Sequence, residues 1–436
     1  MSTLLYLGGV ILFILGVAAS IGLHEMGHLI PGKLYNVKIT QYFIGFGRTI
    51  WSRQRGETEY GLKAVPLGGY VKLVGMLPPG PEAAPGTVPS RPTGMFSQLI
   101  SDARAAEYEH VGPHDHGRLF YQLPWWKKVV IMGSGVATNI VLALALYSVV
   151  FMGYGVQSPT LTIGVVNKCV LAVRAAEAPT ECPKGAPASP AAKAGLEVGD
   201  TVTTLNGVRM ENYDQFREAI RANGTGPVTI GIVRGGRPMV VGPISTVVNN
   251  VPSDSDPTQT VRAGFLGVEP DTARQQQGFG FVLSTMKDST RHVLSTLGHM
   301  PQRVYHVARA ALGLETRDPN GPMSIVGAGR ISGEVVQNQA VPLGARLMSL
   351  VLLLAGLNLF LGLVNLVPLP PFDGGGIATT LVDAIRRGWA RVRRRPDPGA
   401  LDSAKLLPVT YVGAALILVI SVVLIYADIV APVKLS

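Results

Sequence analysis

Cysteine is almost missing from this sequence. Two residues in 436, Cys169 and Cys182, are too few for a cysteine-rich zinc module or a dense disulfide framework. Charge is scarce as well. Asp, Glu, Lys and Arg make up 15% of the chain, against 47% hydrophobic residues. With a mean hydropathy of +0.30, that balance suits a membrane protein better than a soluble enzyme. No charged residue precedes Glu25, so the basic start of a cleaved signal peptide is absent. Ala18-Ala19-Ser20 has the small residues of a cleavage site. Cleavage there would strand His24 at a free terminus, so the run Leu4–Ile30 reads as a permanent helix.

What is present is organised around apolar runs. Four stretches, about 4–28, 128–153, 345–367 and 408–431, each approach the ~20 residues a spanning helix needs. Trp125-Trp126 followed by Lys127-Lys128 anchors the second at an interface. The net charge of +10 could suit a nucleic-acid protein, but the basic residues cluster beside the spans. Arg386, Arg387, Arg391, Arg393, Arg394 and Arg395 lie between the third and fourth. This is the pattern of a cytoplasmic membrane face, and no nucleic-acid partner is expected. Both termini and the long 155–340 region then face outward.

The chemistry-bearing motif is His24-Glu25-Met26-Gly27-His28 inside the first apolar run. On a helix, His24 and His28 are neighbours on one face and can both reach one zinc ion, with Glu25 as general base towards an activated water. Ionisable groups at this depth are costly, which favours a functional over an incidental role. The cytoplasmic end of the third span reads NLVPLPPFDGGG from Asn365 to Gly376. Pro368, Pro370 and Pro371 cannot continue a helix there, and irregular backbone at that depth must be buried in protein or line a wet cavity. Asp373 is therefore a carboxylate on an unwound segment, level with the two histidines. Alone it would read as a turn residue before Gly374-Gly375; beside the histidines it completes an open catalytic zinc site.

These stretches resemble the bacterial site-2 proteases, intramembrane zinc proteases of the regulator-of-sigma type. HEMGH at 24–28, NLVPLPPFDGG at 365–375, and YFIGFGRTIW with AVPLGGYVKLVGM within 37–76 carry the likeness. The resemblance implies one Zn2+ held by His24, His28 and Asp373, Glu25 as base, and Asn365 holding the substrate backbone or the oxyanion. It implies cleavage of transmembrane segments in regulated intramembrane proteolysis, with a pre-trimmed anti-sigma factor as substrate. The chain departs from the family at Gly135-Val136-Ala137-Thr138-Asn139, where Gly-Pro-x-x-Asn is common. It departs again at Gly376, where histidine is common. Asn358 is a lesser site candidate.

The expected fold is a polytopic α-helical membrane protein with four transmembrane helices. A membrane-associated β-sheet follows the first, and an extracytoplasmic α+β PDZ-like domain lies outside. The expected divisions run from transmembrane helix 1 (1–30) through a membrane-associated β region (31–77) and a cytoplasmic loop insertion (78–124) to transmembrane helix 2 (125–155). Next come the PDZ-like domain (156–247), a linker with an interfacial helix (248–343), and transmembrane helix 3 with the Asp motif (344–376). A basic cytoplasmic segment (377–405) and transmembrane helix 4 (406–436) complete the chain.

The alternation in 37–76 suggests strands with bends at Gly45, Gly47, Gly68 and Gly69. Such an edge can hold an opened substrate by β-augmentation, or form a plain cytoplasmic hairpin. His110, His114 and His116 fit no closed zinc motif. SPAAKAGLEVGDTVTTLNGVRM, from Ser189, is similar to bacterial PDZ domains, which take an extended chain at a sheet edge or act as a spacer that excludes bulk. A disulfide between Cys169 and Cys182 is plausible on the oxidising side. His292, His299 and His306 recur every seven residues and suggest one interfacial helix face. Gly321-Pro322-Met323-Ser324-Ile325 resembles a family motif with no assigned chemistry. A metal transporter using the same ligands, or an inactive scaffold that binds tails, would be the competing classes.

Overall fold

Four helices among the described residues are long and apolar enough to cross a membrane: Ser2–Leu34, Trp125–Tyr154, Leu343–Asn365 and Ser403–Val430. The computed structural model describes residues 2–79, 95–108, 111–170, 182–252, 260–319 and 321–433. In chain order the elements begin with α1 (Ser2–Leu34), β1 (Ile39–Arg55), β2 (Thr58–Leu73), α2 (Met95–Tyr108) and α3 (Trp125–Ser148). Then come β3 (Val156–Val166), α4 (Pro190–Lys193), β4 (Thr201–Leu205), β5 (Val208–Arg209) and α5 (Tyr213–Asn223). Five strands follow: β6 (Pro227–Arg234), β7 (Arg237–Ser245), β8 (Val247–Pro252), β9 (Thr260–Phe265) and β10 (Val268–Gln275). The last elements are α6 (Phe279–Gly298), α7 (Met300–Ala311), α8 (Ile325–Gln337), α9 (Leu343–Asn365), α10 (Asp373–Val392) and α11 (Leu407–Val430). The chain divides into two units, Met1–Gly153 with Gly278–Ser436, and Tyr154–Gln277.

In the first unit α1 is the hub. Its 33 residues extend roughly 50 Å at 1.5 Å per residue. With no hydrophobic drive between helices in lipid, small residues govern how closely neighbours approach. A side chain at Gly9 would strike Ser332 and Val336 of α8; at Gly16, Leu354 of α9; at Gly22, Ile44 of β1; at Gly27, Ser134 and Gly135 of α3. Each glycine thus admits a different partner. The buried residues Gly9, Phe13, Val17 and Ser20 continue at helical spacing to His24 and His28.

β1 and β2 pair twice. Gln41–Ile44 are flanked by Lys72–Gly69 on one side and by Glu59–Leu62 on the other, and Glu59–Leu62 pair in turn with Gln54–Trp51. Bends at Gly45 (φ 93°) and Gly47 (φ 87°) make this folding possible, because only glycine takes such backbone without strain. Tyr42 donates to the Gly22 carbonyl at 2.8 Å, tying the sheet to α1. Ile39, Val37, Leu73 and Phe120 pack beneath with Leu29 and Ile131.

Several expectations need correction. α10 begins at Asp373 and runs to Val392, so the basic segment after the third span is helical and Asp373 opens a helix rather than lying within the unwound stretch. A carboxylate in a first turn suits the positive end of the helix dipole. The unwound part is 366–372. The three seven-spaced histidines do not share one helix. His299 sits between α6 and α7, with Pro301 in the first turn of α7, and its ring Nδ1 donates to the Ser295 carbonyl at 2.8 Å. The 248–343 stretch also holds α8, whose residues Gly329, Ser332 and Gly333 lie against Phe13, Gly9 and Tyr6. α8 therefore runs antiparallel to α1 and begins beside its middle.

The second unit has a sheet ordered β10-β3-β4-β6-β7, with β5 on β4 and a separate β8–β9 hairpin. Its core is Ile163, Ala191, Leu205, Phe216, Ile230 and Ile232 with their neighbours. The unit extends to Gln277 because β10 pairs with β3, so the stretch read as a linker after 247 contributes an edge strand. The predicted strand Gly264–Val268 is divided: Gly264 and Phe265 end β9, Val268 begins β10, and residues 266–267 link the two. Asp200, fully buried, receives both forks of Arg234 at 2.7 Å and the Glu197 N–H at 2.9 Å. That salt bridge holds the carboxyl of Asp200 below its ordinary pKa. Cys169 and Cys182 are joined by a disulfide.

Candidate metal centre

Three donors from two distant parts of the chain converge. His24 Nε2 and His28 Nε2 are each 3.3 Å from Asp373 Oδ2, and 3.3 Å from one another. Among the described residues this is the one His/Cys/Asp/Glu group whose donor atoms lie close enough to share an ion. His114 and His116 are exposed and take no part; His110 lies outside the described residues.

Local structure explains the convergence. His24 and His28 are one turn apart on α1. The His28 Nδ1 lies 2.7 Å from the Ile131 carbonyl. A carbonyl can only accept, so Nδ1 carries the proton and Nε2 keeps its lone pair for the centre. The His28 ring rests on Gly135 of α3, where any side chain would fall inside the imidazole. Asp373 arrives because the chain folds back on itself after α9. Gly374 and Gly375 lie so close to the 366–370 backbone that neither could carry a Cβ.

The donor set fits zinc. Four ligands about 2.0–2.1 Å from a tetrahedral Zn2+ stand about 3.3–3.4 Å apart, the spacing of this triangle. Asp373 Oδ2 and His24 Nδ1 are buried without a hydrogen-bond partner, and an orphaned buried carboxylate oxygen is costly unless something else satisfies it. Two imidazoles and a carboxylate leave a fourth position open, the composition of catalytic rather than structural sites.

A cavity of about 550 Å³ surrounds the triangle, bordered by Glu25, Asn139, Asn365 and the β2 segment Gly68–Val71. Gly69 is pressed against Glu25 and Ile21, and a Cβ there would sit 2.9 Å from Glu25 Cγ. β2 has no further strand partner beside this segment among the described residues. Asn365, at the end of α9, faces the same space. Asn358 serves a different end. Fully buried, its Nδ2 donates to Ser20 Oγ at 2.9 Å and clasps α9 to α1.

The sequence profile of Peptidase family M50 matches residues 12–395. The chain belongs to this family. It is 31% identical to the zinc metalloprotease Rip1 of Mycobacterium tuberculosis, covering 99% of this chain and all of that one. The Rip1 of Mycolicibacterium smegmatis is 30% identical over 98% of each. The metalloprotease MmpA of Caulobacter vibrioides is 24% identical over 86% of each. The M50 membership agrees with the site-2 protease resemblance of the motifs, and this M50 chain is a multi-pass membrane zinc metalloprotease.

Two further residues at the site carry a weaker sequence signal. Gly135 was visible only as part of a motif lacking its proline, with nothing to reveal its contact with His28. Asn139, 1% exposed with an unpartnered Oδ1, borders the cavity. In the sequence it is the asparagine that closes that same motif.

Proposed function

We propose that His24, His28 and Asp373 hold the catalytic Zn2+ and that the enzyme hydrolyses a peptide bond of a substrate's transmembrane segment. The observation that carries this is the triangle of donors with 3.3 Å edges in an open cavity. Bound there, Zn2+ supplies Lewis acidity that brings the pKa of water to about 7 and polarises a carbonyl. Glu25 takes the proton of the attacking water and delivers it to the leaving amine. Asn365 donates from its amide to the substrate backbone or to the developing oxyanion. The Gly68–Val71 edge pairs with the substrate main chain, which must be extended because a helix hides its amides. The missing side chain at Gly69 lets that edge lie directly against Glu25.

The substrate class is a single-span membrane protein already trimmed outside the membrane, such as an anti-sigma factor, in regulated intramembrane proteolysis. The active site faces the cytoplasmic side, in keeping with the arginines that follow Asp373. The second unit is a PDZ-like domain on the outer side. There the edge strand β10 takes an extended tail or the unit screens out bulky substrates. The deciding experiment combines metal analysis with cleavage of a transmembrane substrate by wild type and Glu25→Gln. The variant keeps one zinc per chain and stops cutting; normal cleavage by it would remove Glu25 from the mechanism.

A further inference from the structure

The GPMSI motif at 321–325 has so far no role, and its surroundings supply one. Asp428 lies in the last turn of α11, where the helix dipole disfavours a carboxylate and the span makes burial costly. It is nevertheless only 5% exposed. One oxygen accepts from the Ser324 N–H at 2.6 Å and the other from Arg317 Nη2 at 2.9 Å. Arg317 also donates to the Pro322 carbonyl at 2.7 Å. Ser324 Oγ in turn caps α8, accepting from Val326 and Gly327 N–H groups. Gly327 has no room for a Cβ because the Asp428 carboxylate fills that space.

The arrangement answers a physical demand. α8 starts beside the middle of α1, and a helix N-terminus leaves backbone N–H groups unpaired. Within an apolar layer those groups must find protein partners. Asp428 and Ser324 provide them, so the turn is pinned in one position. The next residue, Ile325, borders the catalytic cavity together with Val17, Ile21, Leu357 and Leu361.

We propose that Ile325 determines which substrate side chain the cavity accepts, and that Asp428 and Arg317 are positioning residues that hold it there. The proposal rests on the zinc-protease reading of the same cavity. An apolar wall held by a buried ion pair offers a pocket of fixed depth, selecting by size one apolar residue near the cut bond.

The test uses full-length enzyme and a single-span substrate that wild type cuts, carrying Ala, Leu, Phe or Trp at each position around the cut bond. Ile325→Ala is expected to raise kcat/KM for Phe and Trp relative to Ala at one position by tenfold or more, and Ile325→Trp to reverse that order. Asp428→Asn is expected to flatten the preference at that same position, with one zinc per chain retained. A uniform fall in rate across the panel, with the wild-type preference intact in the Ile325 variants, would overturn the proposal. So would loss of preference at a different position in Asp428→Asn. The Ile325 variants leave the Asp428–Ser324 bond whole, so they decide the matter even if Asp428→Asn does not fold. Wild-type zinc content and cleavage are read alongside, which separates failure of the metal reading from failure of this one.

Discussion

His28 depends on two neighbours from α3: the Ile131 carbonyl that fixes its tautomer and Gly135 that leaves space for its ring. Gly135→Ala raises helix propensity but displaces the imidazole. Its zinc affinity is expected to fall by about 10-fold or more, the scale seen when a ligand's orienting neighbour changes, as measured by competition with a chelator. An unchanged affinity would mean the ring has room to move. Asn365→Ala tests a different role. Loss of one oxyanion donor costs on the order of 10²–10³ in kcat, so kcat should drop while zinc content and KM hold. A rise in KM alone would assign Asn365 to substrate binding only. His24, Glu25 and His28 were legible from the sequence because their spacing is local. Gly135 was not, because its partner lies far away along the chain.

At the scale of elements, the β1–β2 sheet brings Gly68–Val71 to the site. Its strands alternate visibly in the sequence, but the double pairing of Gln41–Ile44 does not follow from alternation. It follows from bends at Gly45 and Gly47 that let one strand meet two partners. Gly69→Val would drive the β2 edge away from Glu25 and Ile21. The expected result is a lower kcat/KM with full zinc occupancy, read by cleavage assay and metal analysis together; an unaffected rate would take this edge out of substrate binding. α8 was hidden for another reason. Its buried face is Gly327, Gly329, Ser332, Gly333 and Val336, small residues that do not read as a core-facing stripe, and its stability comes from packing on α1 and from the Asp428 contact. The His292-His299-His306 spacing misled because periodicity continued across a break that Pro301 imposes.

For the whole molecule, the two units answer to different forces. The first is held by close approach of small residues along α1; the second by a conventional apolar core and the Asp200–Arg234 pair. Asp200 titrates below its ordinary value when folded. The stability it confers is therefore complete above the unfolded carboxyl pKa, about 3.9, and is lost as pH falls through the lower folded value. Hydrogen exchange of full-length protein should show the 195–234 segment well protected above that range and opening below it. Arg234→Met should flatten that acid dependence. A segment that opens at the same pH in both would assign the acid sensitivity to other carboxylates.

Hydropathy and the position of charge determined the four long helices, because a spanning segment must be apolar along its whole length whatever it packs against. Local spacing likewise determined which side chains were fit to bind a metal. The proline-rich turn and the motif resemblance already set Asp373 beside His24 and His28; only the tertiary structure folded β2 against Glu25 and placed Ile325 at the cavity. Those contacts join residues that are far apart in the chain, and no periodicity records which of its distant parts will meet.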